Sequence, residues 1–115
     1  RHVRNDTRLA SEHNGAGVLR LRQADGALTE KGLAVTLDGN AFHIALDPYV
    51  GTLGAVTEAA RNLAAMGARP LGVTDNLNFG DPEDPAVAYQ LERTTFALRD
   101  VCLALDAPVT GGNVS

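Results

Sequence analysis

Three polar side chains directly follow an apolar run in the sequence VTDNLNFG, which spans residues 73–80. They are the carboxylate of Asp75 and the amides of Asn76 and Asn78. Carboxylate and amide groups supply donors and acceptors that can anchor a ligand hydroxyl, and their oxygens suit a metal ion. The simpler interpretation of Asp75 is an Asx-turn, in which its side chain caps the backbone where a strand ends. The residues alone leave both interpretations open.

A second polar segment, TGGNVS, spans residues 110–115. Gly111 and Gly112 carry no side chain, so the backbone amides there can approach an anion closely. Asn113 can offer its carbonyl oxygen to Mg²⁺, and Ser115 can donate a hydrogen bond to a phosphate or hydroxyl. The alternative is an ordinary flexible turn, because this pattern is not a Walker A loop.

A third candidate pair, Glu58 and Asn62, lies four residues apart in a segment with helical periodicity. Residues at this spacing share one face of a helix. The pair can therefore furnish two oxygen ligands for Mg²⁺ carrying a nucleotide, or it can simply be part of a solvated helix surface. The three histidines show no metal-ligand spacing; they are His2, His13 and His43.

Composition restricts the classes of function. The 115 residues are 44% hydrophobic and 21% charged, as in an ordinary soluble domain. The net charge of −4 argues against nucleic-acid binding, which needs a clustered basic face. The single cysteine, Cys102, falls on the apolar face of a predicted helix, so we expect inert packing and a reducing, cytoplasmic compartment. No apolar run approaches the roughly 20 residues of a membrane span, so we expect no membrane partner.

Local patterns predict the elements that position these side chains. Residues 33–37 and 42–47 flank the sequence DGN, and Asp-Gly supplies the positive φ angles of a tight hairpin. Helical spacing of apolar residues predicts one helix over about 52–66 and another from Pro85, capped by Asp84, to about residue 106.

The connection between two predicted strands sets the topology. Residues 71–74 and 109–110 are joined through the second helix, which implies a right-handed crossover and parallel pairing. Their carboxyl ends then meet at one rim, where open α/β sheets bind ligands. We therefore expect Asp75 and Asn113 to lie side by side around one ligand. The predicted fold is α+β or α/β, with a mixed sheet of about four strands and two helices on one face.

Domain boundaries follow from the same reading. Residues 1–31 are interpreted as a linker or arm with one candidate strand at 17–22, and residues 32–115 as the folded domain. The sequence begins without methionine and stops directly after a predicted strand, so we expect a piece of a larger protein. A sheet cut from a larger structure leaves apolar surface uncovered, and we expect the isolated chain to self-associate.

Residues from about 32 to 115 closely resemble the phosphoribosylformylglycinamidine synthase family of purine biosynthesis. The resemblance is carried by EAARN, GARPL, TDNLNFG with a following proline, and PVTGGNVS. That family belongs to a superfamily of ATP-dependent enzymes that includes aminoimidazole ribonucleotide synthetase, in which such domains pair into a barrel-like interface. The resemblance implies the second of two AIRS-type N-terminal ATP-binding domains in a longer chain.

The resemblance also implies a ligand for each of six residues. Two contact ATP, one binds Mg²⁺, one contacts substrate, and two hold Mg²⁺ with a second, non-catalytic nucleotide. In that order they are Asp75 and Gly112, Asn113, Ser115, and Glu58 with Asn62.

The implied activity is that of an ATP-dependent carbon–nitrogen ligase. It converts formylglycinamide ribonucleotide, ATP and glutamine-derived ammonia to formylglycinamidine ribonucleotide, with Mg²⁺ as a cofactor. A glutaminase subunit and a small accessory subunit are implied as partners. The catalytic histidines of the family lie in the first N-terminal domain, outside this sequence, so we expect this chain alone to be inactive.

Two other functions stay open at this point. One is a non-catalytic dimerisation or interaction module, in which the polar residues of the rim only cap turns. The other is a different ATP-dependent enzyme of the same superfamily, such as a kinase or cyclo-ligase. The specific sequence TDNLNFG argues against this last interpretation.

Overall fold

The computed structural model describes residues 15–115, so the predictions for the first fourteen residues, His2 and His13 included, lie outside the described part. The chain divides into two compact units, residues 15–37 with 61–69 and residues 38–60 with 70–115. The mixed α/β class is confirmed. Along the chain the elements are β1 (Gly17–Arg22), β2 (Leu28–Val35), α1 (Ala41–Leu46), α2 (Pro48–Ala65), β3 (Val73–Leu77), α3 (Pro85–Leu105) and β4 (Val109–Val114).

The first unit contains an antiparallel hairpin formed by β1 and β2. Its register runs from the pair Gly17 and Val35 to the pair Arg22 and Leu28, with one irregularity on the way. The connecting turn uses a glycine, Gly26, at φ 89°, a conformation that costs glycine little. The candidate strand at 17–22 is confirmed, although its partner strand begins at Leu28, inside the segment interpreted as a linker or arm.

The predicted hairpin around DGN is wrong, because Asn40 begins a helix instead. Its side-chain Oδ1 accepts a hydrogen bond of 3.1 Å from the backbone N–H of His43, as an N-cap residue does. Positive φ at glycine is confined, in residues 15–115, to Gly26 and Gly67, so Gly39 lacks the conformation that a tight hairpin needs. The segment expected to be the second strand therefore forms α1.

The second unit contains the parallel pair that the sequence predicted. β3 pairs with β4, and α3 connects them. The prediction of one four-stranded mixed sheet is wrong, since the described strands form two sheets of two strands each. The segment expected to be one of the four strands, residues 42–47, forms α1 instead. Both predicted helices are present as α2 and α3, and α1 is an additional one.

The helix α3 follows its sequence signals closely. Asp84 Oδ1 accepts from the Ala86 N–H at 2.8 Å, and Pro85 occupies the first turn. At the other end Asp106 takes the left-handed conformation, with φ 52° and ψ 42°, and ends the helix. Its buried face supplies most of the core of the second unit, namely Ala97, Leu98, Val101 and Cys102. Burial raises the pKa of the Cys102 thiol, in agreement with inert packing.

Large apolar side chains remain uncovered in the second unit. Phe42 and Leu46 on α1 are each 86% exposed, and Val114 on β4 is 67% exposed. Every residue of β4 is exposed. This is the uncovered apolar surface that the sequence led us to expect, whereas self-association itself stays a prediction. In the part of the chain that the structure describes, no helix is both long and apolar enough to cross a membrane.

The helices α1 and α2 meet backbone to backbone at Gly51. A methyl group placed on this buried glycine would lie 2.5 Å from the Ile44 nitrogen and 2.7 Å from the His43 carbonyl oxygen. One turn later, a methyl group placed on Gly54 would meet no other atom within 4 Å. Close approach of the two helices therefore depends on Gly51 and not on Gly54.

We expect Gly51→Ala to lower the free energy of unfolding by about 2 kcal/mol, as overpacking typically does. The matched control, Gly54→Ala, should raise it by about 0.5–1 kcal/mol, because alanine is the better helix former. Urea denaturation of both variants measures the two free energies. Equal effects of the two substitutions would contradict the close approach at Gly51.

A hydrogen-bonded cluster joins α2 to α3. The Tyr49 hydroxyl donates to Asp100 Oδ2 at 2.7 Å, and Arg99 Nε donates to Asp100 Oδ1 at 2.8 Å. The guanidinium of Arg93 lies over the Tyr49 ring, 4.8 Å from its centroid. The bonds from Arg99 and Tyr49 lower the pKa of Asp100, and the bond to Asp100 raises the pKa of Tyr49.

The direction of the Asp100 shift predicts a pH dependence. A carboxylate whose pKa is lowered by folding stabilises the fold above its unfolded value of about 3.9, and this is lost as the pH falls through the lower folded value. We expect Tyr49→Phe to lower Tm at neutral pH, with the difference from the parent protein shrinking below about pH 4. Tyr89→Phe, which alters an exposed tyrosine, is the control. A Tm difference that stays constant down to acid pH would refute the assignment.

Candidate functional site

The carboxyl ends of β3 and β4 leave the sheet side by side, as the predicted crossover requires. In the register, Asp75 lies opposite Gly112 and Asn76 opposite Asn113. Backbone bonds continue past the strands, because the Ser115 N–H donates to the Leu77 carbonyl at 2.9 Å. The two polar segments that the sequence singled out are therefore brought together at one rim.

Four polar side chains, one on each strand and one just after each strand, form one hydrogen-bonded group, which we call the amide cluster: Asn76, Asn78, Asn113 and Ser115. Asn113 Nδ2 donates to Asn76 Oδ1 at 3.3 Å and to Ser115 Oγ at 3.2 Å. Ser115 Oγ donates to Asn78 Oδ1 at 2.5 Å. The bonds to Asn76 and Asn78 cross between the two segments, and all three bonds are exposed. The group thus presents amide and hydroxyl oxygens to solvent.

Asp75 lies on the opposite face of the same two strands. A methyl group placed on Gly112 would overlap Asp75 Oδ1 and its carbonyl oxygen, and would lie 2.6 Å from Asp75 Cγ. The Asp75 carboxylate therefore fills the space that a side chain at 112 would occupy. Successive side chains of a strand point to opposite faces, so Asn113 points away from Asp75.

This geometry corrects one expectation. Asp75 and Asn113 are neighbours in the register, but their side chains do not lie side by side on one face. A ligand that contacts both must reach around the edge of the two-stranded sheet or across the strand ends. On its own face Asn113 is accompanied by Asn76 and by Ser115.

Glu58 and Asn62 both lie on α2, one turn apart, as predicted. Glu58 is exposed and belongs to the second unit. Asn62 is half-buried in the first unit, where its side chain packs against the Cα of Gly15. Across residues 15–115, no three side chains of histidine, cysteine, aspartate or glutamate gather as metal ligands. A cation at the amide cluster would therefore be held by neutral oxygens of this chain.

In the sequence, Asn76 and Asn78 stand out only as polar neighbours of Asp75, with no ligand assigned to either. The signal was their spacing of two residues, which matches the spacing of Asn113 and Ser115 in the other segment. In strands this period places each pair on one face. Only the strand register shows that the two pairs lie on the same face of the sheet.

Residues 14–115 match the protein family described as "AIR synthase related protein, N-terminal domain". A similar relative is the phosphoribosylformylglycinamidine synthase subunit PurL of Thermobifida fusca, which is 51% identical over 115 residues. The alignment takes in 100% of this chain and 14% of that relative. The chain thus spans about a seventh of the relative's length.

Solved structures from Thermotoga maritima share the fold. The structure of PurLQS gives a TM-score of 0.82 at 31% identity, over 96% of this chain and 18% of that one. PurL complexed with AMPPCP and PurL complexed with FGAR each give 0.76 at 34% identity over 88% of this chain. The alignments cover 16% of the PurL chain complexed with AMPPCP and 15% of the PurL chain complexed with FGAR. These likenesses confirm the fold class that the sequence predicted.

The packing of Asp75 against Gly112 predicts a sharp contrast between adjacent glycines. Gly112→Ala should lower the free energy of unfolding by about 3 kcal/mol, the upper end of overpacking costs, because the new Cβ meets backbone as well as side chain. Gly111→Ala should change it by less than about 1 kcal/mol, since Gly111 has open space and no positive φ. Chemical denaturation of both variants checks this. Similar losses from both would show that Asp75 does not occupy this space.

Proposed function

Because the chain belongs to the AIR synthase related protein family, N-terminal domain, we propose that it is one domain of a phosphoribosylformylglycinamidine synthase. In this role it contributes nucleotide, metal and substrate contacts to an ATP-dependent ligase of purine biosynthesis. The observation that carries the proposal is the convergence of TDNLNFG and TGGNVS at the carboxyl ends of two parallel strands. Ligands bind at this end of parallel sheets.

Similar proteins support the same assignment. PurL of T. maritima has been solved with AMPPCP, an ATP analogue, and with FGAR. We therefore propose that the whole protein binds ATP and formylglycinamide ribonucleotide. The 51% identity to a PurL subunit favours this over another enzyme of the superfamily.

The proposed reaction replaces the formamide oxygen of the substrate by nitrogen. ATP first phosphorylates that oxygen, ammonia derived from glutamine then adds to the carbon, and phosphate leaves. An amide oxygen is a poor leaving group, and its phosphorylation concentrates negative charge that the site must neutralise. When bound, Mg²⁺ supplies that neutralisation at the transferring phosphoryl group.

The residues of this chain divide between the two faces of the parallel strands. Asp75 and the backbone of Gly112 are proposed to contact ATP. Asn113 is proposed to ligate Mg²⁺, and Ser115 to contact the substrate. The amide cluster fits such an ion because its oxygens are hard donors, while nucleotide phosphates supply negative charge.

Three further residues, outside the two polar segments, are Glu58, Asn62 and His43. Glu58 and Asn62 are proposed to hold Mg²⁺ with a second nucleotide, as the resemblance implies. His43, the histidine within residues 15–115, is exposed on α1, away from both polar segments in sequence, and we assign it no catalytic role. The chain alone is therefore proposed to be inactive.

Partners are proposed from the similar structures, and a location is proposed from the cysteine. The structural neighbour is described as PurLQS, which supports two further subunits beside PurL. We propose that a glutaminase subunit supplies ammonia and that a small accessory subunit joins the assembly. A cytoplasmic location is proposed, since the one cysteine is a buried free thiol.

A second candidate function is a non-catalytic interaction module. The observation that favours it is that every residue of β4 is exposed, including the apolar Val114 at its end. Such a surface is suited to association whether or not the rim binds ligands. Self-association of the isolated chain is proposed on this ground.

Substitutions in the whole synthase discriminate the two functions. Asp75→Asn preserves the packing against Gly112 but removes the charge, so it should weaken ATP binding about tenfold, or about 1.4 kcal/mol. Asn113→Ala should raise the Mg²⁺ concentration that gives half-maximal turnover. Glu92→Ala, an exposed position on α3, is the control. Nucleotide titration by calorimetry and steady-state kinetics are the measurements, and parental values for both site variants would leave only the interaction module.

A further inference from the structure

The hydrogen bonds of Asn113 account for both protons of its amide. An asparagine amide carries two N–H donors on Nδ2 and one acceptor oxygen. One donor meets Asn76 Oδ1 at 3.3 Å and the other meets Ser115 Oγ at 3.2 Å. The Oδ1 atom of Asn113 is therefore the part of the group left to bind a cation.

The hydrogen bonds of Ser115 likewise show which bond its hydroxyl donates and which it accepts. A serine hydroxyl has one proton and two lone pairs. Ser115 accepts from Asn113 and donates its proton to Asn78 Oδ1 at 2.5 Å. What it still offers is a lone pair. Ser115 is thus free to accept a hydrogen bond from a ligand, whereas the sequence suggested that it donates to a phosphate or hydroxyl.

Both terminal acceptors of the cluster belong to β3 or to the residue that follows it. Asn76 lies directly opposite Asn113 in the register, so the backbone pairing holds their side chains together on one face. Asn78 precedes Phe79, whose N–H donates to the Ser115 carbonyl at 2.9 Å. Backbone pairing near Asn76 and near Asn78 thus supports the side-chain hydrogen bonds of the cluster.

From this arrangement we propose that Asn76 and Asn78 are positioning residues of the synthase site. Asn76 orients the Asn113 amide so that its oxygen faces the metal. Asn78 takes the Ser115 proton, so the substrate group that Ser115 contacts is a hydrogen-bond donor, a hydroxyl or an N–H. This inference rests on the proposed function, because it needs Asn113 at a metal and Ser115 at a substrate.

The two roles predict separate kinetic signatures in the whole synthase. Asn76→Leu removes an acceptor at similar volume and should raise the Mg²⁺ concentration for half-maximal turnover about threefold to tenfold, the range for one hydrogen bond. It should leave the KM for formylglycinamide ribonucleotide unchanged. Asn78→Leu should raise that KM by a similar factor and leave the Mg²⁺ dependence unchanged. Thr74→Val, on the same exposed face of β3, should change neither constant.

Double-mutant cycles show whether each residue acts through its partner. Asn76→Leu should have no further effect in an Asn113→Ala background, and Asn78→Leu none in a Ser115→Ala background. Additive effects, a uniform change in all constants, or parental behaviour of both leucine variants beside impaired Asn113→Ala and Ser115→Ala would overturn the inference. Parental behaviour of Asn113→Ala and Ser115→Ala themselves would instead overturn the proposed function, and the inference with it.

Discussion

The parallel pairing of β3 with β4 is the constraint on which the rest of the second unit depends. These strands are far apart in sequence, and α3 closes the connection between them. The pairing needs close contact at Gly112, because the Asp75 carboxylate fills the place of a side chain there. It also sets Asn76 opposite Asn113 and so builds the amide cluster. One register thus decides which polar groups meet.

That register contains one irregularity with a large effect. Val73 lies opposite Val109, yet Thr74 lies opposite Gly111, so Thr110 is the extra residue of a bulge. Its hydroxyl bonds to the Val73 carbonyl at 3.3 Å. A shift of one residue moves all later side chains to the other face. Without the bulge, Asn76 would face Gly112, and the amide cluster would not exist.

How much the sequence could predict depended on whether the deciding signal was local. The cap and proline at residues 84–85 act within one turn, and α3 begins there as predicted. The DGN segment is equally local but ambiguous, since Asn40 can end a hairpin turn or cap a helix, and the cap prevailed. The family resemblance was confirmed because whole motifs carried it. The sequence could not predict that Asp75 and Asn113 point to opposite faces of the sheet, because a bulge between distant strands leaves no mark in local periodicity.

The amide cluster carries no charge of its own that could hold a metal ion. Its oxygens are neutral, whereas Mg²⁺ sites typically combine one or two carboxylates with substrate phosphates. The nearest carboxylate in the register, Asp75, points to the other face. Under the proposed function, negative charge for a metal at Asn113 would therefore come from the nucleotide or from another part of the protein. Every residue of β4 is exposed, and a strand edge of this kind is suited to being covered by neighbouring structure. A cluster of neutral donors avoids a fixed group of like charges when no ligand is present, and in the proposed role the nucleotide would supply the negative charge that a metal ion needs.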